Sequence, residues 1–194
     1  NWNYTLKIVA FWVLTPFLAA VLAVLIYRAI VFFTGKASNI LTLNYLYGRA
    51  SLALSFYVAY VLGANTLGLI SGVYQPLMGY FGPVLFASIS GVGIYLFGRG
   101  ITESVGRNII SLSPSTALVA QLSGAITVHL LTELSLPVSI TQAIVGGVLG
   151  VGLAKKIVML NTKAARNIVV GWTVAPVSGA LIAYLLARTV EGFL

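Results

Sequence analysis

The chain is dominated by apolar stretches, most of them long enough to cross a lipid bilayer. There are six, at residues 7–33, 46–73, 80–98, 114–132, 137–153 and 166–189. A membrane-spanning helix needs about 20 apolar residues. Charged residues make up only 7% of the chain, whereas a soluble domain carries roughly 25%. Because so few charges cannot cover a soluble surface, the sequence predicts an all-α membrane protein, a polytopic helical bundle.

Two segments 160 positions apart are similar in sequence. They share an Asn, a Trp, a Pro and an Arg in register: Asn1 with Asn161, Trp12 with Trp172, Pro16 with Pro176, and Arg28 with Arg188. The interval of 160 positions contains five apolar stretches. Because five is an odd number, the second copy of the segment has the opposite orientation in the membrane. The pattern therefore predicts an inverted-topology repeat, an arrangement from which many transporters are built.

This repeat predicts a division of the chain. Residues 1–33 would be the last helix of a first repeat, and residues 46–194 a second repeat that ends in the helix at 166–189. A cytoplasmic linker at 34–45 would join them. The remainder of the first repeat is expected in an N-terminal half of the same protein, absent from this sequence.

Basic residues fall mostly on one predicted face of the membrane. Nine lie on that face: Arg28, Lys36, Arg49, Arg99, Arg107, Lys155, Lys156, Lys163 and Arg166; only Lys7 and Arg188 lie on the other. The positive-inside rule places the first face in the cytoplasm. We expect a multi-pass protein of the cell (plasma) membrane whose C-terminus is non-cytoplasmic. The basic residues are spread over short loops, so no nucleic-acid partner is expected.

The second apolar stretch contains Gly63 and Gly68 with Asn65 and Thr66 between them. Glycines weaken a helix, and unwound backbone in a membrane is tolerated only where it is buried or lines a polar cavity. We therefore expect a local break whose polar groups face such a cavity. The alternative is a helix-packing site in which Asn65 bonds a neighbouring helix.

The fourth and fifth stretches are short and are joined by a tight turn ending at Pro137. They predict a re-entrant helical hairpin over residues 114–153. Pro137 suits a helix start, and Ser139 and Thr141 follow with hydroxyls beside free N–H groups, which attract anions. The alternative is that Ser139 merely caps the helix at the membrane surface.

Several motifs occur in one order: Gly63-Ala64-Asn65, the run from Pro137 to Gln142, the glycines at 146, 150 and 152, and Trp172 with Pro176. This order resembles the C-terminal half of the inorganic phosphate transporter (PiT) family, whose two inverted repeats carry G-A-N-D-x-x-N-A and P-V-S-T-T-H signatures. The resemblance implies an ion-coupled symporter of phosphate, or of sulfate as in some relatives. It also implies a set of substrate-binding residues: Asn65, Thr66, Ser139, Ile140, Thr141 and Gln142. Asn65 and Thr66 would also bind the coupling ion.

The sequence departs from these signatures. Thr66 replaces the family Asp, Leu69 replaces its second Asn, and Gln142 replaces its His. A carboxylate is a preferred ligand of hard cations, so its loss leaves open whether Na⁺ or H⁺ is the coupling ion. No other cofactor, metal site or catalytic residue is expected, because the chain has no triad, metal-ligand cluster or nucleotide-binding motif.

Three functions remain open. The first is an ion-coupled symporter of inorganic phosphate. The second is a permease for sulfate or another small oxyanion. The third is a non-transporting membrane protein that keeps the fold for assembly or regulation. The expected partners are the oxyanion, the bilayer, the N-terminal half and a second copy in a homodimer.

Two further polar groups have alternative interpretations. His129, beside Glu133, is either a proton relay or a residue near the membrane interface that bonds its neighbour. Gln121 either reaches the anion or makes an interhelical hydrogen bond.

Overall fold

The computed structural model describes residues 2–35, 39–108, 112–156 and 162–191, which contain helices and no strand. The helices are α1 (Trp2–Thr34), α2 (Ile40–Leu62), α3 (Gly68–Met78), α4 (Phe81–Asn108), α5 (Pro114–Glu133), α6 (Ile140–Ala154) and α7 (Thr162–Glu191); a π-helical turn (Gly63–Leu67) joins α2 to α3. Within these residues, five helical segments are long and apolar enough to cross a bilayer, α2 to α3 counting as one. The prediction of an all-α, polytopic membrane protein is confirmed.

Some helix boundaries differ from those expected. α2 begins inside the predicted linker 34–45, because the Asn39 side chain accepts hydrogen bonds from the N–H groups of Leu41 and Thr42 and so caps the helix. α4 continues to Asn108, well beyond the apolar stretch predicted at 80–98. Asn1, Lys36 and Asn161 lie outside the described residues. The inverted repeat and the division of the chain that follows from it stay predictions.

Helices α1 to α6 belong to one compact unit, and α7 forms a second unit by itself. In the first unit the α5–α6 hairpin packs against α1 and α2. The buried apolar core of the unit includes residues from the helices and from the hairpin turn: Ala19, Val61, Ala125, Val128, Leu131, Leu136, Val138 and Ala143. α7 is a 30-residue helix that contains Pro176, as α1 contains Pro16.

Helix α6 makes its closest contacts through glycines. A Cβ atom built on Gly146 would overlap the Pro16 backbone, and one on Gly150 would overlap the Ala20 backbone. Since both positions increase together along the two helices, α6 runs parallel to α1. On its other side, a Cβ on Gly147 would collide with α5. α6 is therefore held between two helices at backbone distance.

The hairpin turn lies beside the first turn of α1, where the Tyr4 hydroxyl donates to the Ser135 carbonyl oxygen. α6 has 15 residues, which corresponds to about 22 Å of helix. A bilayer core is about 30 Å thick, so α6 is too short to cross it unaided. This length agrees with a hairpin that enters and returns, and the re-entrant arrangement stays a prediction.

We predict that Gly150→Ala destabilises the protein, because the added methyl group has no room against Ala20. Overpacking of this kind costs about 1–3 kcal/mol. The matched control is Gly91→Ala on α4, where nothing lies within 4 Å of the added Cβ. The melting temperatures of both variants in detergent should differ, with only Gly150→Ala lowered. Equal melting temperatures would contradict the close packing of α6.

Candidate functional site

The glycine-rich segment after α2 is not unwound, so that expectation is wrong. It forms a π turn, in which the Gly68 N–H group bonds the carbonyl oxygen of Gly63 as well as that of Asn65. The helix thus widens instead of opening, and its backbone groups stay bonded within the helix. π turns of this kind often occur at functional sites. Here the turn holds Asn65 in a buried position, with 6% of its surface exposed.

Asn65 connects the π turn to the hairpin. Its amide nitrogen donates to the Thr132 hydroxyl at 2.8 Å, and that hydroxyl donates to the Val128 carbonyl oxygen at 2.7 Å. Thr132 lies in the last turn of α5, so this bond fixes the end of α5 against the widened helix. The hydrogen bond to a neighbouring helix, which is expected if Asn65 serves in helix packing, is therefore present.

The same contact forms one wall of a small cavity of about 180 Å³. The cavity lies between the π turn with the start of α3 and the hairpin turn, and its lining comprises Ala64, Asn65, Leu69, Thr132, Ser135, Leu136 and Pro137. The structure thus brings the Gly-Ala-Asn motif and the start of the Pro137–Gln142 run to one site. Asn65 thus bonds a neighbouring helix and also lines a cavity, although the helix around it is not unwound.

The other predicted site residues lie around this cavity without lining it. Thr66 and Ile140 are half-buried and Thr141 is exposed. Ser139 is the N-cap of α6, and its hydroxyl accepts from the Gln142 N–H at 3.3 Å. The Gln142 side chain is buried, and its Oε1 has no hydrogen-bond partner within the described part of the chain.

Thr132 and Ser135 line the cavity but were not predicted as site residues. Both belong to the end of the hairpin, and the backbone of Ser135 adopts a positive φ of 58° in the turn. Hydroxyl residues immediately before the Pro137 run are the one sequence signal that could have identified them. Leu69, at the position of the family's second Asn, places an apolar side chain in the wall.

Comparison with known proteins shows the family of the chain. A model of the phosphate transporter family matches residues 42–183. The chain belongs to the phosphate transporter family. A relative from Methanocaldococcus jannaschii, named "Putative phosphate permease MJ0630", is 35% identical over 184 residues, which are 95% of this chain and 60% of the relative. A "Putative phosphate permease" of Chlamydia muridarum is 28% identical over 81% of this chain and 40% of its own length.

A solved structure described as "The sodium-dependent phosphate transporter" is similar in fold. The two superpose with a TM-score of 0.56 at 20% sequence identity, covering 90% of this chain and 63% of the other. At this identity the similarity shows the fold of the family and no more. The chain spans about 60% of the length of its archaeal relative.

We predict that Asn65→Ala and Thr132→Val are not additive in their effects on stability. Thr132→Val leaves the buried Asn65 amide nitrogen without its acceptor, and this change therefore costs less once Asn65 has been replaced. Hydrogen bonds between membrane helices couple by about 0.6 kcal/mol on average. The measurement is a double-mutant cycle on the free energy of unfolding in detergent. A control cycle pairs Asn65→Ala with Ser88→Ala, because the Ser88 hydroxyl bonds only within α4. If the effects of Asn65→Ala and Thr132→Val are additive, the hydrogen bond between the two residues contributes nothing to stability.

Proposed function

We propose that the complete protein is a secondary active transporter, an ion-coupled symporter of inorganic phosphate. The observation that carries this proposal is the meeting of Asn65 and Pro137 at one polar cavity, in a chain that belongs to the phosphate transporter family. A widened helical turn and a hairpin turn that meet at one site provide polar side chains for a small ion. The relatives' names, phosphate permease, support phosphate as the substrate.

The site would be completed by an N-terminal half that corresponds to the part of the relatives this chain does not span. In an inverted repeat, the two halves place equivalent elements about one site near the middle of the membrane, and alternating access moves one half against the other. We further propose the plasma membrane as the location, with the C-terminus on the non-cytoplasmic side. The support is the uneven distribution of basic residues.

Phosphate is favoured over sulfate by a buried acceptor. Near neutral pH phosphate carries at least one P–OH donor, whereas sulfate has only acceptors. The Oε1 atoms of Gln121 on α5 and Gln142 on α6 are both without a hydrogen-bond donor among the described residues. A buried acceptor without a partner costs about 1–3 kcal/mol. Gln142 does not line the cavity, and we propose that the anion reaches its Oε1 atom in the site of the complete protein, where protonated phosphate would relieve that cost and sulfate would not.

The decisive experiment is uptake of labelled phosphate and sulfate by the complete protein in proteoliposomes. Sodium and pH gradients are imposed in turn, and liposomes without protein give the background. We expect phosphate uptake that one of the two gradients drives. Uptake of sulfate alone would establish the oxyanion permease instead, and no uptake of either ion would favour a role in assembly or regulation.

We predict that Ser139→Ala weakens phosphate binding and also lowers stability, because Ser139 both caps α6 and lies beside its free N–H groups. A lost hydrogen bond to a charged group costs about 1.5–3 kcal/mol, which is roughly ten- to a hundredfold in affinity. Thr141→Ala should weaken binding by a similar factor without lowering stability, since Thr141 is exposed. Binding to the purified protein and melting temperature are measured together. Unchanged affinity in both variants would leave Ser139 as a cap alone.

We predict that Thr66→Asp increases the sodium dependence of uptake. A carboxylate at this position supplies a hard oxygen ligand to a cation and repels the anion when that cation is absent. Initial phosphate uptake is measured against sodium concentration at matched protein levels, with Thr66→Asn as the isosteric uncharged control. If both variants follow the sodium curve of the parent, position 66 does not bind the coupling ion.

A further inference from the structure

We propose that Tyr57, His129 and Glu133 form a proton-binding site that links protonation of the imidazole to the contact between α2 and the hairpin. The inference rests on the proposed transport function in one respect, namely that this proton would be the one coupled to phosphate. The cluster lies outside the cavity and belongs to neither of the two sequence signatures.

The three side chains are within bonding reach of one another. The Tyr57 hydroxyl oxygen lies 2.7 Å from His129 Nδ1, and His129 Nε2 lies 3.5 Å from Glu133 Oε1. The rings of Tyr57 and Tyr60 stand 5.6 and 5.7 Å from the imidazole, measured between centroids. The imidazole side chain is 32% exposed and that of Glu133 is 70% exposed, so the described residues do not enclose the cluster although the ring packs against α2.

The cluster can form hydrogen bonds in both protonation states of the His129 imidazole. In the neutral imidazole, Nδ1 accepts the Tyr57 hydroxyl proton and the Nε2–H group points to Glu133. When a proton binds at Nδ1, that nitrogen becomes a donor to the Tyr57 oxygen, and the hydroxyl must turn its own proton to another acceptor. The net change is one proton bound and one positive charge gained, with the Glu133 carboxylate beside it. No other bond forms or breaks.

Few other ionisable groups surround the ring. α2 contributes Tyr57 and Tyr60, and α5 contributes Glu133. α6 and the π turn contain no ionisable residue. On α1, the Tyr4 hydroxyl is bonded to the Ser135 carbonyl oxygen and Lys7 is exposed. His129 is the only histidine in the sequence, so replacing it separates its contribution from those of Glu133 and the two tyrosines.

The cluster is joined to the cavity through the same two elements. Tyr57 and Asn65 lie on α2 and its π turn, whereas His129 and Thr132 lie three positions apart on α5, on neighbouring turns of one face. Two hydrogen bonds thus cross between these elements, Tyr57 to His129 and Asn65 to Thr132. When His129 Nδ1 becomes the donor to Tyr57, the bond between α5 and α2 changes. This change acts on α2 and on the π turn that holds Asn65 in the cavity wall.

The lining of the cavity favours a proton over a metal cation. Its polar side chains are those of Asn65, Thr132 and Ser135, and it contains no carboxylate. Hard cations prefer several oxygen ligands that include carboxylates. Leu69 further reduces the number of oxygen ligands in that wall. An imidazole is the side chain that changes charge between about pH 5 and 8, the range in which a proton gradient operates.

The first test is the pH dependence of phosphate uptake by the complete protein in proteoliposomes. His129→Gln keeps a partner for Tyr57 but cannot bind the proton, and we expect it to lose the phosphate uptake that a pH gradient drives while keeping the melting temperature of the parent in detergent. Glu133→Gln keeps the side-chain shape and removes the charge, and we expect it to change the pH profile less than His129→Gln does, because an exposed ion pair contributes little. Tyr60→Phe keeps its ring beside the imidazole and should follow the parent. A His129→Gln profile that matches the parent would overturn the proposal.

The second test does not depend on transport. The imidazole signals of His129, assigned by their absence in His129→Gln, are followed by NMR against pH. The rate at which a thiol reagent labels Ser135→Cys, a position in the cavity wall, is followed over the same pH range. We expect the imidazole signals and the labelling rate to change over the same pH interval, and the labelling rate of His129→Gln to stay constant.

Imidazole signals that do not change with pH would overturn the proton site. A labelling rate that does not change with pH would overturn its link to the hairpin. If the protein transports no phosphate but both signals respond to pH, the proposed function fails while the proton site and its link to the hairpin stand.

Discussion

The arrangement of the helices depends on the contact between α6 and α1, where Gly146 and Gly150 meet the backbone at Pro16 and Ala20. In a membrane, helices gain little hydrophobic free energy from association, so close van der Waals packing through small residues has to hold them together. With side chains absent from this face, α6 sits at backbone distance and α5 packs behind it. The position of the hairpin turn, and therefore of the cavity wall, follows from that contact.

Much of the fold could be predicted from the sequence, because the bilayer restricts it to helices of a given length. The six apolar stretches all correspond to helices. The ends of α2 and α4 were not predicted, since Asn39 caps a helix within a polar segment and α4 extends through charged residues beyond the membrane. The π turn was predicted as a break, because two glycines around Asn65 indicate weakness in a helix without indicating whether it opens or widens.

The candidate site was predicted in part. Asn65 and the hairpin turn at Pro137 were expected and meet at the cavity. Thr132 and Ser135 were missed, because their place in the wall depends on how α5 packs against α2, and residue spacing carries no information on that packing. The same dependence explains why Thr141 lies exposed although it belongs to a motif. The sequence does not separate the two roles considered for Ser139, because helix capping and anion binding both use a hydroxyl at the N-terminal end of a helix.

The π turn also changes the helical phase of everything that follows it. An α-helix advances about 100° per residue, and the wider turn takes up roughly one residue more than an α-helical turn. Side chains of α3 are therefore rotated by about that angle relative to a continuous helix from Ile40 to Met78. A helical wheel drawn across the whole segment would assign the wrong face to Tyr74, whose ring packs 5.6 Å from that of Phe86 on α4. In effect, the π turn is a one-residue insertion accommodated without a loop, and it determines which face of α3 meets α4.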